Sequence, residues 1–414
     1  MVPSSHFNHI RDNTDLKLEL KIPELNSQFA RNSHNIPPYA QNKPPKPPNL
    51  ALKISMAAKT TEAPSLSFPR DIFAALSPSP FLLAHLSPQT PSTPSIRPNG
   101  RAPSEFRKPT IHRGSLTHCS GSAVVRLGDT AVVCGVRGEI LLAADIPNPP
   151  SAPPQPAATD ASDADADDED DSAELSQLSL LVPNIELATG STPTHLPGSP
   201  PSTLAQSLTA RLRALLLSTR LIRARDLRIL HRAPPPPDAA ATPDVPPTEE
   251  AKAYWTLYID TLFISLDGNA FDAAWAAVVV ALRDTRLPRA WWDDDVEAIL
   301  CSDVPAEARA LRLRGLPVAA SFAVFAPGGG VGDSAFRDGQ EERAWVLSDP
   351  DAFEEALCPE VVTVTVDCTG GERRVRRIEK SGGSTVGREL MKGVVQRAEE
   401  RWKDWLEVFG VGNS

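Results

Sequence analysis

The sequence predicts an α+β protein of two similar halves. Two observations carry this. A pair of strands followed by a helix occurs twice along the chain, and proline confines regular structure to the stretches where those patterns lie. The prolines cluster in residues 35–50, 64–109, 147–156, 193–201 and 234–247. A prolyl residue lacks the N–H and fixes φ, so these stretches hold neither a helix interior nor a central strand. The 42 prolines are about twice the usual share. By subtraction the ordered core is about 250 residues, enough to bury a stable interior.

Residues 1–66 read as a disordered N-terminal extension, rich in Asn and Pro, with one short amphipathic stretch, LKLELKIPEL. Composition changes near Met56, and MAAKTTEAPSLSFPRDIF reads as a natural beginning, so residues 1–55 are expected to be dispensable. FPRDIFAAL and FLLAHL read as two short helices split by Ser-Pro-Ser-Pro. RPNGRAPSEFRKPTIHRGSL is an extended basic segment with a Pro-Asn-Gly turn. Residues 122–142 give two strands joined by a hairpin turn at Leu127-Gly128-Asp129-Thr130, and LSLLVPNIEL (178–187) is a third strand. Over 203–223, Leu204, Leu208, Leu212, Leu215 and Leu216 share one helical face, with Ser202 or Thr203 as the cap. WTLYIDTLFISL (255–266) is a buried strand. The helix at 271–283 is apolar on every side, which places it between layers.

The second block opens with the strand GLPVAASFAVF (315–325), followed by a Gly-rich loop, the strand AWVLSD (344–349) and the helical DAFEEAL. VVTVTVDCT and RRVRRIEK form a hairpin around Gly370-Gly371, and a helix from Gly387 to about Phe409 closes the chain. The expected division is a first half over 67–313, with disordered inserts at about 147–174 and 233–250, and a second half over 314–414.

The net charge of −10 is concentrated in one place. DASDADADDEDDSAE (160–174) holds nine acidic and no basic residues, and the rest of the chain is close to neutral. The run reads as a solvated disordered insert, with a decoy for a basic partner as the sharper alternative. Cysteines 119, 134, 301, 358 and 368 are odd in number and form no CxxC pair, which argues for a reducing compartment and against a disulfide framework. The eight histidines form no HxxxH or HExxH pattern, so no metal site is indicated. No apolar window is long enough to span a membrane, and the first residues lack the n- and h-regions of a secretory signal.

RPNGR, EFR, GSAVVRLGDTAVVCGVRGEI, LLVPNIEL, LDGNAFDAAWAAVVVALRDTRLP, GLPVAASFAVF, VLSDP and KSGGSTVG occur in this order. Each is weak alone; the ordered set resembles the RNase PH superfamily over roughly residues 68–409, and within it the non-catalytic ring subunits of the eukaryotic RNA exosome. Inserts of a fungal character, rich in Pro and Ala, lengthen the loops without breaking the order. The resemblance implies an RNase PH fold of two ββαβα halves with mixed sheets. It implies a place in a hexameric ring of three heterodimers, with three RNA-binding cap subunits on one face and a hydrolytic nuclease on the other. RNA threads the pore, and the setting is the nucleus and nucleolus, and also the cytoplasm. No cofactor is implied.

Active members of the superfamily cleave RNA by phosphorolysis, with two arginines holding phosphate and a carboxylic acid assisting departure of the 3′-nucleotide. A phosphate dianion needs bidentate positive donors, and the acid must stand within hydrogen-bond reach of the leaving oxygen. By the resemblance the first arginine precedes the helix at 203–223, but residues 190–209 hold no Arg or Lys. The second follows Asp267-Gly268, where Phe271 stands. Asp349 and Glu355 match the carboxylates, although Asp349-Pro350 also reads as a strand-ending turn and Glu355 as part of an exposed helix face. The site reads as degenerate at Phe271, Asp349 and Glu355, with no catalytic residue.

PGGGVGDS (327–334) lacks the Gly-Lys-Ser/Thr ending of a P-loop and reads as a flexible hairpin loop. SGGSTVG (381–387) reads as a helix-entry turn before an N–H nest, and Cys134 as a packed thiol before a nucleophile. Three groups of basic residues offer sequence-independent contacts to RNA phosphate, or else salt bridges and solvated faces: Arg211, Arg213, Arg220, Arg223 and Arg225; Arg373, Arg374, Arg376 and Arg377; and Arg101, Arg107, Lys108 and Arg113. Arg211, Arg213, Arg220 and Arg223 are the RNA-contact candidates. Two functions therefore compete, a structural RNA-channelling subunit and an active phosphate-dependent 3′–5′ exoribonuclease. The missing arginines favour the first.

Overall fold

The computed structural model describes residues 68–87, 94–147, 164–196, 198–232, 249–326, 344–383 and 387–410, with backbone alone for 164–170. The extension 1–66 with its alternative start, the PGGGVGDS loop, most of the 233–250 insert and part of SGGSTVG lie outside these residues.

Two short helices lead in, α1 (Arg70–Leu76) and α2 (Pro78–Leu86). The first sheet is built from β1 (Pro109–Arg113), β2 (Gly121–Leu127), β3 (Thr130–Leu142), β4 (Leu181–Leu187), β5 (Arg228–Arg232) and β6 (Glu249–Ser265). Its order is β1-β2-β3-β6-β4, with β5 pairing the start of β6. It is mixed, because β4 runs parallel to β6 while every other pair is antiparallel. Between its strands come α3 (Ala164–Gln177), α4 (Thr203–Thr219) and α5 (Ala224–Leu227), and after it α6 (Ala270–Asp284). A linker region follows with β7 (Arg286–Leu287), β8 (Ala290–Asp293), β9 (Ala298–Cys301) and β10 (Arg309–Ala310), paired as β7–β10 and β8–β9.

The second half holds β11 (Val318–Phe325), β12 (Trp345–Ser348), α7 (Ala352–Leu357), β13 (Glu360–Asp367), β14 (Arg374–Ser381) and α8 (Arg388–Phe409). Its sheet, in the order β12-β11-β13-β14, is antiparallel throughout. "Mixed" thus describes the first sheet only. β13 and β14 are joined by a short hairpin connection, whereas the parallel strands β4 and β6 are joined by a crossover through α4 and α5.

The Ala- and Val-rich α6 packs on β2 and β3 from one side and on β11 from the other, while α8 lies against β11, β13 and β1. Every residue of α6 from Ala270 to Leu282 is buried, as its all-round apolar sequence requires. Small side chains let two sheets approach one helix. Trp275 and Trp402 bring their indole N–H groups to the carbonyls of Pro317 and Leu316, both at 2.8 Å, fastening α6 and α8 to the start of the second half.

Three expectations need correction. Residues 164–177 are helical, although the acidic run was expected to be disordered. The helix is anchored at its C-terminal end. There Asp171 accepts from the N–H groups of Ala224 and Arg225 at 2.9 and 3.0 Å, Glu174 pairs with Arg228, and Leu175 is buried. Leu204 is exposed rather than on the buried face of α4, because it lies in the first turn, which Ser202 caps from solvent. The insert expected to end at residue 250 gives its last two residues to β6.

Candidate functional site

The site forms where the turn after β6 meets the end of β12. Thr130 at the hairpin accepts from Asp267 N–H at 2.9 Å and donates to the Gly268 carbonyl at 3.1 Å, fixing the turn to β3. Gly268 has φ +67°, and a Cβ there would lie 2.4 Å from the Asp351 carbonyl carbon, so only glycine allows the two turns to touch. Asn269, left-handed at φ +50°, caps α6 and links three carboxylates. Its N–H donates to Glu355 Oε1 at 2.7 Å, and its Nδ2 donates to Asp272 Oδ2 at 2.8 Å and Asp349 Oδ1 at 2.6 Å.

Asp349 is fully buried, with a left-handed backbone at φ +52°. Arg107 encloses it: N–H and Nε both donate to Oδ2 at 2.9 Å, and Nη2 donates to Oδ1 at 2.7 Å. Burial alone would raise this carboxyl, but the Arg107 guanidinium overrides it, and with the nearby Arg401 charge the pKa falls to about 2. Glu355 goes the other way. Desolvation, with the Asp272 and Asp349 charges behind it, pushes its carboxyl up to about 7, although the residue as a whole is exposed. Asp272 is buried too. It is raised by desolvation while accepting from Asn269 and from both N–H and Oγ of Ser321 at 2.8 Å. Beside them, the wholly buried Arg97 pairs with Glu354 at 3.1 Å and donates to the carbonyls of Ser348, Ala102 and Glu105.

Phe271 is buried at the N-terminal end of α6, and a guanidinium lies on its ring: Arg211 Cζ is 3.9 Å from the centroid. Arg211 is not free. Its Nε is 2.7 Å from Glu379 Oε2 and its Nη2 reaches Thr363 Oγ1 at 3.3 Å. Thr363 meets Ser321 at 2.9 Å, and Ser321 meets Asp272. A continuous polar chain thus runs from Arg211 to Asp349. Arg211, two residues beyond the 190–209 stretch that lacks Arg and Lys, is the arginine that reaches this place.

The other RNA-contact candidates are scattered. Arg213 is exposed and donates to Ser179 at 3.1 Å; Arg220 is the half-buried, left-handed C-cap of α4; Arg223 pairs with Asp226 at 3.0 Å. Of the remaining groups, Arg101 and Arg107 turn inward onto Asp349, and Arg113 donates to the Phe409 carbonyl. Arg373, Arg374, Arg376 and Arg377 each face a carboxylate within 4 Å. Cys134 lies fully buried in β3, where desolvation pushes its thiol up to about 12. Sequence reasoning missed Asn269, Asp272 and Ser321 as site residues, and it named Arg107 only within a basic group for RNA phosphate or salt bridges. Only the Asp267-Gly268-Asn269 turn signalled them, since no spacing rule joins Arg107 to a carboxylate 242 positions away.

Residues 105–288 match the 3′ exoribonuclease family, domain 1 (RNase PH). The chain is 29% identical over 337 residues to the exosome complex component rrp43 of Schizosaccharomyces pombe, covering 81% of this chain and 97% of that one. It is 26% identical to the exosome complex component Rrp42 of Thermococcus gammatolerans, covering 76% and 90%. Among solved structures, a chain of the Archaeoglobus fulgidus exosome with RNA bound to the active site shares the fold. Its TM-score is 0.50 at 22% identity, covering 82% of this chain and all of that one.

Proposed function

We propose that the chain, whose residues 105–288 match domain 1 of the 3′ exoribonuclease (RNase PH) family, is a non-catalytic ring subunit of the RNA exosome. In this reading it pairs with other RNase PH-like subunits in the ring and helps guide RNA to a separate nuclease. It works in the nucleus, nucleolus and cytoplasm. The two RNase PH-like halves are residues 67–313 and 314–414. Relatives named as exosome components over almost their whole length support the assignment.

One observation carries the loss of catalysis. Where the resemblance places a phosphate arginine stands the buried Phe271, and the guanidinium that reaches it among the described residues, Arg211, is bound to Glu379. A neutralised arginine is a poor holder of a phosphate dianion. Asp349, matched to the acid, spends both oxygens on Arg107 and Asn269 and holds no proton near neutral pH. Losing a charge-assisted contact to phosphate costs about 1.5–3 kcal/mol, and each 1.36 kcal/mol is about tenfold in rate. The test is the purified chain, alone and with its ring partner, incubated with single-stranded RNA and inorganic phosphate. Phosphate-dependent release of nucleoside diphosphates that falls in Glu355→Gln overturns the reading.

For RNA contact the geometry favours Arg213 and Arg220 over Arg211 and Arg223, whose guanidinium groups are occupied. Charge reversal at Arg213 and Arg220 is expected to weaken single-stranded RNA binding without regard to sequence. Each lost contact should flatten the salt dependence by about 0.7 in the log–log slope.

A further inference from the structure

The opposite end of α6 carries a second feature. From Phe271 to Arg283 the helix runs about 18 Å, so this place is separate from the degenerate site. Beside Arg283 lies a cleft of 510 Å³, walled by Leu311, Leu313, Leu316 and Leu406 with Trp402. Arg283 stacks on Phe409 at 5.5 Å, and its pKa is pushed down by burial and by the neighbouring Arg113 charge. The β7–β10 ribbon leads into the cleft, and Leu311 N–H is held by the Thr285 carbonyl at 3.0 Å. Arg286 and Arg309 sit on that ribbon, and Arg312 stands between two lining leucines.

These three arginines are exposed, and none has a side-chain partner among the described residues. The hairpin arginines of β14 by contrast are paired. Of the acids close to the cleft, Asp367 is ion-paired with Arg376, while Asp284 accepts from Ser122 N–H and forms no ion pair with the ribbon arginines among the described residues. The result is a leucine-lined cleft with arginines at its rim that form no ion pair among the described residues.

We infer that this cleft is a docking site for an acidic segment of a partner protein, anchored by leucine-type side chains. Charge complementarity selects an acidic partner, and the four leucines that line the cleft beside Arg283 and Thr369 select its aliphatic anchors. Single-stranded RNA fits less well. It is held by stacking on exposed aromatic faces, and the aromatic residue here, Trp402, is only 7% exposed with its indole N–H on Leu316. The inference does not rest on ring membership.

The test uses the full purified chain and a fluorescently labelled peptide of Asp and Glu with leucines at helical spacing. Its controls are the same peptide with Leu→Ser and an oligouridine competitor. The peptide is expected to bind, and Arg309→Glu with Arg312→Glu should weaken it by at least about tenfold at an unchanged melting temperature. Leu313→Lys should weaken it likewise, and the leucine-free peptide should bind as weakly as the variants do. Absence of binding, equal binding of the leucine-free peptide, indifference to the charge reversals, or displacement by oligouridine would each overturn the proposal.

Discussion

Arg107 holds both carboxylate oxygens of Asp349, Oδ2 at 2.9 Å from Nε and Oδ1 at 2.7 Å from Nη2, with both side chains buried. The pair ties the segment just before β1 to the residue that follows β12. A carboxylate matched by resemblance to chemistry here serves cohesion. Arg107→Ala is expected to cost about 3–5 kcal/mol, because it leaves a buried charge unpaired. Denaturant unfolding checks it, and a loss below about 1 kcal/mol would mean the pair is not a structural anchor.

The same cluster sets two opposed pH responses. Asp349 titrates at about 2 in the folded chain against an ordinary 3.8, so its stabilisation is complete above that ordinary value and is lost as pH falls toward 2. Glu355 titrates at about 7 against 4.5, so it favours the folded state at low pH and loses that contribution as pH rises through 7. Glu355→Gln keeps the acceptor for Asn269 N–H and removes the charge. It should flatten the stability profile between pH 4.5 and 7 and raise the melting temperature at higher pH. The effect should be modest, since water reaches the residue. A variant as pH-dependent as the native chain over that window would show that Glu355 titrates normally.

Gly268→Ala tests the contact between the two turns. A left-handed backbone at φ +67° costs an alanine about 1–2 kcal/mol, and here the new Cβ also meets backbone at 2.4 Å. Gly100→Ala, at φ +86° with nothing within 4 Å, should carry the conformational cost alone. Equal melting temperatures for the two variants would mean that the turns do not pack as described.

On β6, Leu262 and Ile264 are 36% and 48% exposed while Phe263 between them is buried, so one sheet face presents aliphatic side chains to solvent. Expressed singly the chain should be poorly soluble, and co-expression with an RNase PH-like partner should raise the soluble yield. Leu262→Lys with Ile264→Lys should improve solubility alone and impair the pairing. A monodisperse native monomer at micromolar concentration would count against the ring assignment.

The sequence by itself determined most of the elements and the resemblance to one family. The all-apolar 271–283 stretch predicted a helix between layers, the β-branched pairs predicted the strands, and an ordered set of weak motifs pointed to RNase PH. These signals are local or additive along the chain, so they survive without coordinates. The acidic run misled for the same reason. Its composition is that of a disordered insert, yet Asp171, Glu174 and Leu175 fasten its end to α5, β5 and the core. Only the tertiary structure decided which charges meet. It brought Arg211 onto Phe271, Arg107 onto Asp349 and Asn269 among three carboxylates, and it left Arg286, Arg309 and Arg312 without side-chain partners among the described residues, beside a leucine-lined cleft. Ion pairs and stacked guanidinium groups act over a few ångströms, between residues as many as 242 positions apart. Their energy depends on burial and orientation, neither of which a linear pattern encodes.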